Sequence, residues 1–335
     1  MSTQYTALRD WHESSSTAFK VVVLVSILFL LGNVKGLFGA WHYRIFRALL
    51  DHLVLERKRH VDIGSAGPQV LFQPVISASR SPLLECDFNG HKSNSTFYAD
   101  LDISRVHLLC ILFKDVLSAP DKRRPAEQTL GKLNMALGGV SCTFRKEIKP
   151  YEKYEIWSRV LTWDNKWIYI ASHFVRGTSV KPRGYTLRPS GKASEDAETS
   201  TEFPFSVSIE EMQKVVIASA ISRYVFKRGH KSIPPQQVLQ TLGFIPPPSD
   251  IADHATPAGE DLNAACPKAS DTAPHRSRDG ATSTEATSRA AEGHWDGRRV
   301  EHERQRGLDV AQHFTELDGL HTFLSGSSMP ALGRF

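Results

Sequence analysis

Asp87, Asn89 and His91 fall at every second position of the stretch Asp87-Phe88-Asn89-Gly90-His91. A carboxylate can take a proton from water or attack a carbonyl itself, and an imidazole can carry protons near neutral pH. An amide can hold the water or the carbonyl oxygen. Together these side chains suit hydrolysis of an ester or thioester. The next run with a helical pattern begins near Ser95, and a helix start offers unpaired N–H groups and a partial positive charge that polarise a carbonyl. The convergence makes a candidate active site. Asp, Asn and Gly are also common turn residues, so 87–90 equally reads as an ordinary strand-to-helix turn.

The elements around the motif follow from periodicity. Residues 70–79 alternate loosely and predict a strand before it. Residues 95–116 predict one long helix after it. Phe97, Leu101 and Ile103 lie among Asp100, Asp102 and Arg105 in its first half, and 108–113 is apolar on nearly all sides, as in a buried helix. Asn94 or Ser95 can cap its start. Leu133, Met135 and Leu137 then hold odd positions and Val140, Cys142 and Phe144 even ones. The phase slip at Gly138-Gly139 predicts a bulge in a long strand. Residues 154–162 and 167–175 read as strands joined by a two-residue turn at Asp164-Asn165. Residues 178–202 read as a polar loop insertion, 215–226 as a β-branched strand and 234–242 as a short helix opened by proline.

The chain has 335 residues, 41% hydrophobic and 23% charged, which suits one or two ordinary domains. Its net charge of +5 comes from 41 basic and 36 acidic residues. No basic stripe interleaved with aromatics is present, so nucleic acid is not an expected partner. Cys86, Cys110, Cys142 and Cys266 form no CxxC pair, and the histidines show no metal spacing, so neither metal nor cofactor is expected.

Residues 21–31 are apolar apart from Ser26, and the apolar character continues intermittently to Trp41. A transmembrane anchor over 18–41 is the favoured reading, with Lys35 snorkelling and Trp41 and Tyr43 at headgroup level. A cleaved signal peptide and a short interfacial helix are the competing readings. Residues 1–17 form a polar segment, and 42–59 a basic one holding Arg44, Arg47, Arg57, Lys58 and Arg59. That asymmetry places the 60–245 domain in the cytosol, on a single-pass membrane protein. Residues 246–335, opened by three prolines, read as a disordered tail. Within it Val310, Phe314, Leu317 and Leu324 recur at helical spacing, as a small partner-binding helix would.

A strand, a long buried helix and a run of antiparallel strands form the order of a hotdog fold, an α+β architecture. Asp87-x-Asn89-x-His91-x-x-Asn94-x-x-x-Tyr98 resembles the D-x-N-x-H-x-N-N-x-x-Y signature of hotdog acyl thioesterases, with Tyr98 one place beyond the signature's tyrosine. The N-terminal anchor, the helix segment 102–106, Ser141-Cys142 and the Trp163-Asp164-Asn165 hairpin look like the membrane-anchored, thioesterase superfamily member 6-like family. The resemblance covers about 18–245. It implies hydrolysis of a fatty acyl thioester, of the acyl-CoA class, by Asp87, Asn89 and His91. Asn94, Ser95 and Tyr98 would contact the substrate, in a homodimer, with the endoplasmic reticulum as a candidate membrane. Lys92 and Ser93 stand where the signature has an apolar residue and an asparagine. A non-catalytic hotdog that binds acyl chains or membrane partners therefore stays open as an alternative. A hotdog hydratase fits less well, because Gly90 follows Asn89 and the histidine comes one place early.

Overall fold

The computed structural model describes residues 17–55, 67–118, 132–177, 182, 186–187, 214–245 and 295–324. Nearly all of the 178–202 insertion, residues 1–16, residues 56–59 of the expected basic segment, and residues 246–294 and 325–335 of the expected tail lie outside this set.

Five antiparallel strands lie in the order β1-β3-β4-β5-β2: β1 (Val75–Arg80), β3 (Lys153–Trp163), β4 (Ile168–Arg176), β5 (Val216–Arg228) and β2 (Asn134–Phe144). A three-residue strand β6 (Lys231–Ile233) pairs back onto β5. Between β1 and β2 the chain forms the 24-residue helix α3 (Asn94–Leu117). Phe97, Leu101, Leu108 and Leu112 recur at helical spacing along its buried side. This is the hotdog arrangement, with the sheet wrapped around one central helix.

The alternation in β2 breaks where the sequence slips phase: its register on β5 shifts between Leu137 and Gly139. Two expectations need correction. Only the second half of 70–79 is a strand; residues Pro68–Phe72 form a 3₁₀ turn that buries Val70, Leu71 and Phe72. Pro74 between them has no N–H to give to a ladder. The β3–β4 turn has its tip one residue later than expected, at Asn165-Lys166. Asp164 Oδ1 accepts the amides of Lys166 at 2.7 Å and Trp167 at 2.6 Å, and Asp164 N–H bonds Trp167 O at 2.9 Å.

The core falls into two apolar clusters. Phe97, Leu101, Tyr154, Ile156 and Phe174 fill one end of the sheet. Leu108, Phe113, Val160, Trp163 and Phe226 fill the other. A polar layer crosses between them: Ser158 Oγ meets Ser104 Oγ at 2.8 Å and Ser172 Oγ at 2.7 Å, and Arg105 donates to Ser222 Oγ at 2.6 Å.

The expected single span over 18–41 is not what forms. Helix α1 (Thr17–Gly32) has 16 residues and buries none of them. A 3₁₀ turn (Val34–Gly36) follows, and a second helix, α2 (Ala40–Leu50), then packs on α3. Among the described residues no helix is long and apolar enough to cross a membrane. The break follows from Asn33, which is fully buried, and from Lys35, which turns into the domain rather than toward an interface.

The tail reading is corrected over 295–324. Residues Gly297–Thr315 form α5, which is followed by a 3₁₀ stretch (Glu316–Leu324). Helix α5 packs on β3, on the face away from α3. Ser158 faces α3, while its neighbour Arg159 feels the charges of Glu303 and Arg306 on α5. Thr162 Oγ1 donates to Arg304 O at 2.7 Å, and Arg223 holds Asp318 through two bonds of 2.9 and 2.6 Å. The helix is held by ordinary packing: Trp295 stacks on Phe72, and Val300 joins the Trp163 cluster. Helix α4 (Pro235–Thr241) forms where proline opens the short run.

Candidate active site

The Asp87 motif is the tip of a small hairpin that leads into α3. Gly90 N–H bonds Asp87 O at 3.0 Å, and Asp87 N–H bonds His91 O at 2.9 Å. Gly90 sits at φ +76°, a left-handed conformation that glycine reaches without strain. Cys86 and Lys92 bridge one step further down. The strand-to-helix turn is therefore a closed hairpin loop with Phe88 at its tip, fully exposed.

Asp87 is half-buried, and its Oδ1 accepts the Asn89 amide at 2.9 Å. This bond fixes the carboxylate over the turn. Asn89 is exposed and His91 half-buried. His91 Nε2 lies 2.8 Å from Glu147 Oε2, a residue just past β2. The sequence offered no way to pick Glu147 as a partner, because only the fold brings the loop after β2 back to the hairpin.

Asn94 and Ser95 occupy the first turn of α3, both exposed, and Tyr98 is half-buried against the Phe97 cluster. Ser93 holds the N-cap position, with extended backbone and no capping bond from its side chain. Its hydroxyl lies 3.1 Å from Ser95 Oγ instead. The helix therefore opens toward the hairpin without a side-chain cap over its first amides. Such amides stabilise a developing oxyanion. A carboxylate, an imidazole–carboxylate pair and an open helix start thus share one rim of the domain.

Beneath the hairpin lies a buried ionic cluster that sequence reading did not assemble. Lys92 and Asp100 have fully buried side chains, and Glu85 is nearly as enclosed. Lys92 Nζ lies 2.6 Å from Glu85 Oε2 and 3.0 Å from Asp100 Oδ2. Lys35 Nζ lies 2.8 Å and 2.9 Å from the same two oxygens. Arg44 donates to Asp100 Oδ1 from both terminal nitrogens at 3.0 Å. Tyr154 OH also donates to Asp100. Burial opposes ionisation of Asp100, but the charges of Lys35, Lys92 and Arg44 outweigh it and hold its carboxyl well below the usual range. Burial and the neighbouring Asp100 charge push the Tyr154 hydroxyl upward. The one sequence signal was Lys92 itself, a lysine where an apolar residue was expected. A charge at an inward position calls for buried partners.

A second pair of titratable groups joins the N-terminal segment to α3. His52 Nε2 and His107 Nδ1 meet at 2.8 Å. Burial, and then His52, lowers His107 to about 4.

The comparisons with known proteins agree with this architecture. A family model described as "Thioesterase-like superfamily" matches residues 82–234. "Thioesterase poxG" of Penicillium oxalicum is 37% identical over 317 residues, 93% of this chain and 89% of the relative. "Probable thioesterase atnL" of Emericella nidulans is 34% identical over 330 residues, 95% of this chain and 93% of the relative. "Thioesterase lcsJ" of Purpureocillium lilacinum is 33% identical over 186 residues, 53% and 50% of the two chains. The first two matches run far beyond 82–234, into both the N-terminal helices and the region of α5.

Proposed function

The chain belongs to the thioesterase-like superfamily, and we propose that it hydrolyses fatty acyl thioesters of the acyl-CoA class to a fatty acid and a thiol at the Asp87 hairpin. The observation that carries this reading is the placement of Asp87 and His91 on one rigid turn at the uncapped start of α3. Asp87 takes a proton from water as the water oxygen adds to the thioester carbon. The oxyanion that forms faces the first amides of α3. The C–S bond then breaks, and the departing thiolate receives a proton from Asp87 or His91. Glu147 holds the orientation of His91 through the 2.8 Å contact to its Nε2. Asn89 holds the water or the thioester oxygen, while Asn94, Ser95 and Tyr98 line the approach.

The same reading includes a membrane and a second copy. Helix α1 is apolar apart from Thr17, Lys20 and Ser26 and buries nothing, which suits lipid better than water. Phe38, Leu83, Leu84 and Phe88 are exposed around its base and the hairpin tip. Short of a full span in its described length, α1 would insert its apolar residues, with the domain on the cytosolic side and the endoplasmic reticulum as one candidate membrane. Arg44 is bound to Asp100, so the flanking positive charge rests on Arg47 and the residues beyond it. A single copy leaves Asn89 open to solvent and β2 paired only with β5. A homodimer would bring the surface of a second copy to this rim. The exposure of Asn89 also favours the second reading, a hotdog that binds acyl chains without hydrolysing them.

The test is turnover by the full-length protein in detergent, measured as thiol release from acyl-CoAs of graded chain length. Hydrolysis that is lost in Asp87→Ala supports the enzyme reading. Absence of turnover across the whole series, with retained acyl-CoA binding, would transfer the protein to the second reading.

A further inference from the structure

The loop that leads into the hairpin is gripped by residues that precede the 82–234 family domain. Asn33 Oδ1 accepts the Leu84 amide at 2.9 Å, and its Nδ2 donates to Phe29 O at 2.8 Å and to Tyr151 OH at 3.3 Å. A Cβ on Gly36 would stand 2.9 Å from Leu84 Cβ, so the 3₁₀ turn at 34–36 lies directly against this loop. Lys35 Nζ has acceptors from four separate segments. They are Arg80 O at the end of β1 at 2.9 Å, Glu85 in the loop, Asp100 on α3, and Tyr154 OH on β3 at 3.0 Å. Arg44 adds a bidentate hold on Asp100 from α2.

These contacts converge on the base of the hairpin. Glu85 carries Lys35 and Lys92 on one oxygen, and its own carbonyl accepts the Ser93 amide at 2.8 Å. Residues 85 and 93 thereby pin both feet of the loop that holds Asp87 and His91. The hairpin itself is short and its tip exposed, so its position depends on these feet. Precise placement of a catalytic group depends on packed supporting residues, and an ångström of misplacement costs large rate factors.

We propose that the connector spanning residues 33–44 is the floor of the catalytic hairpin, and that Asn33 and Lys35 are positioning residues for the reaction at Asp87. The proposal rests on the hydrolase reading for its kinetic consequence, but the grip itself can be measured independently.

The experiment compares full-length wild type with Asn33→Leu, Asn33→Asp and Lys35→Met, with Asp87→Ala as the inactive reference. Asn33→Leu keeps volume and removes both the acceptor for the Leu84 amide and the donor to Phe29 O; Asn33→Asp restores the acceptor alone. The expected result is a fall in kcat of at least tenfold for Asn33→Leu and Lys35→Met, with KM within threefold and partial recovery in Asn33→Asp. Hydrogen exchange should rise at amides 84–93 in the two impaired variants and stay unchanged in β4. Values of kcat within twofold of wild type in both, with Asp87→Ala inactive, would overturn the proposal. If wild type itself turns nothing over, the hydrolase reading fails, and unchanged exchange at 84–93 would separately sink the grip. If Lys35→Met does not fold, Asn33→Leu and Gly36→Ala carry the same comparison.

Discussion

Glu85 and Lys92 meet at 2.6 Å across the base of the turn that carries Asp87. Both also border Asp100 or Lys35, so the site residues stand on a sealed ionic platform. The candidate rim is partly exposed, while Glu85, Lys92 and Asp100 beneath it are enclosed.

Asp87→Ala should lower kcat on acyl-CoA by at least about 100-fold, the usual range for loss of a base or nucleophile. His91→Gln and Glu147→Gln should each give a smaller loss in kcat, because Glu147 holds His91 in place. A kcat for Glu147→Gln equal to wild type would detach Glu147 from the mechanism.

Within the platform, Asp100 is the residue whose loss leaves charges least balanced. Asp100→Leu strands Lys35, Lys92 and Arg44 against Glu85 alone and should cost about 3–5 kcal/mol. Lys92→Met leaves two cations facing two carboxylates and should cost less. Urea unfolding of the two variants tests the ordering, and a Lys92→Met loss equal to or above that of Asp100→Leu would contradict the arrangement.

Stability should fall on the acid side in two stages. His107 is lowered to about 4 by burial and by His52, against about 6.5 in an unfolded chain. Its contribution is complete above about 6.5 and is lost as pH falls toward 4, because the unfolded chain binds the proton more readily. Burial lowers His173 in the same direction. Asp100, held below its ordinary value, keeps its contribution above about 3.9 and loses it as pH falls further. His107→Gln should flatten the slope between pH 6.5 and 4 in thermal melts and leave the steeper loss below 4 in place.

Gly307 lies against β3 so closely that a Cβ there would come 2.4 Å from Leu161 O. Gly307→Leu should lift α5 from the sheet at a cost of about 1–3 kcal/mol. Trp295 would leave Phe72, so its fluorescence should move to the red. Unchanged emission and unchanged stability would show that α5 does not dock as described.

With α3 on one face of the sheet and α5 on the other, the edges left to a second copy are those of β1 and β2. Light scattering in detergent, with the micelle subtracted, should give twice the 37.4 kDa of the chain. A mass of 37.4 kDa would remove the homodimer from the functional proposal.

Much of the fold was legible because period and punctuation agree locally. Phe97, Leu101 and Leu108 announce α3, the odd–even slip announces the bulge near Gly138, and Asp87 to Gly90 announce a turn. The ionic cluster was not legible, since Lys35 and Asp100 lie 65 positions apart and meet only when α2 folds back on α3. The tail misled for a different reason. Of its large apolar residues, Val310 and Leu317 remain exposed and Phe314 lies against Arg223, while the buried positions are Val300, Gly307 and Ala311. Close backbone approach selects small residues, which a search for large apolar ones passes over. Asn33 and Lys35 looked like flaws in an apolar run, and their polarity is what attaches that run to the domain.

Helix α1 ends at Gly32 and Asn33 is already enclosed, so no slack chain separates the two. At 1.5 Å per residue α1 is a rod of about 24 Å. Any surface that takes up the rod holds the Asp87 hairpin at a fixed height above it. An enzyme held in that way searches in two dimensions, and its rate follows the density of substrate in that plane rather than its concentration in bulk. A flexible tether of the same length would sweep a volume; with α1 taken up by such a surface, this joint would confine the encounter to a layer.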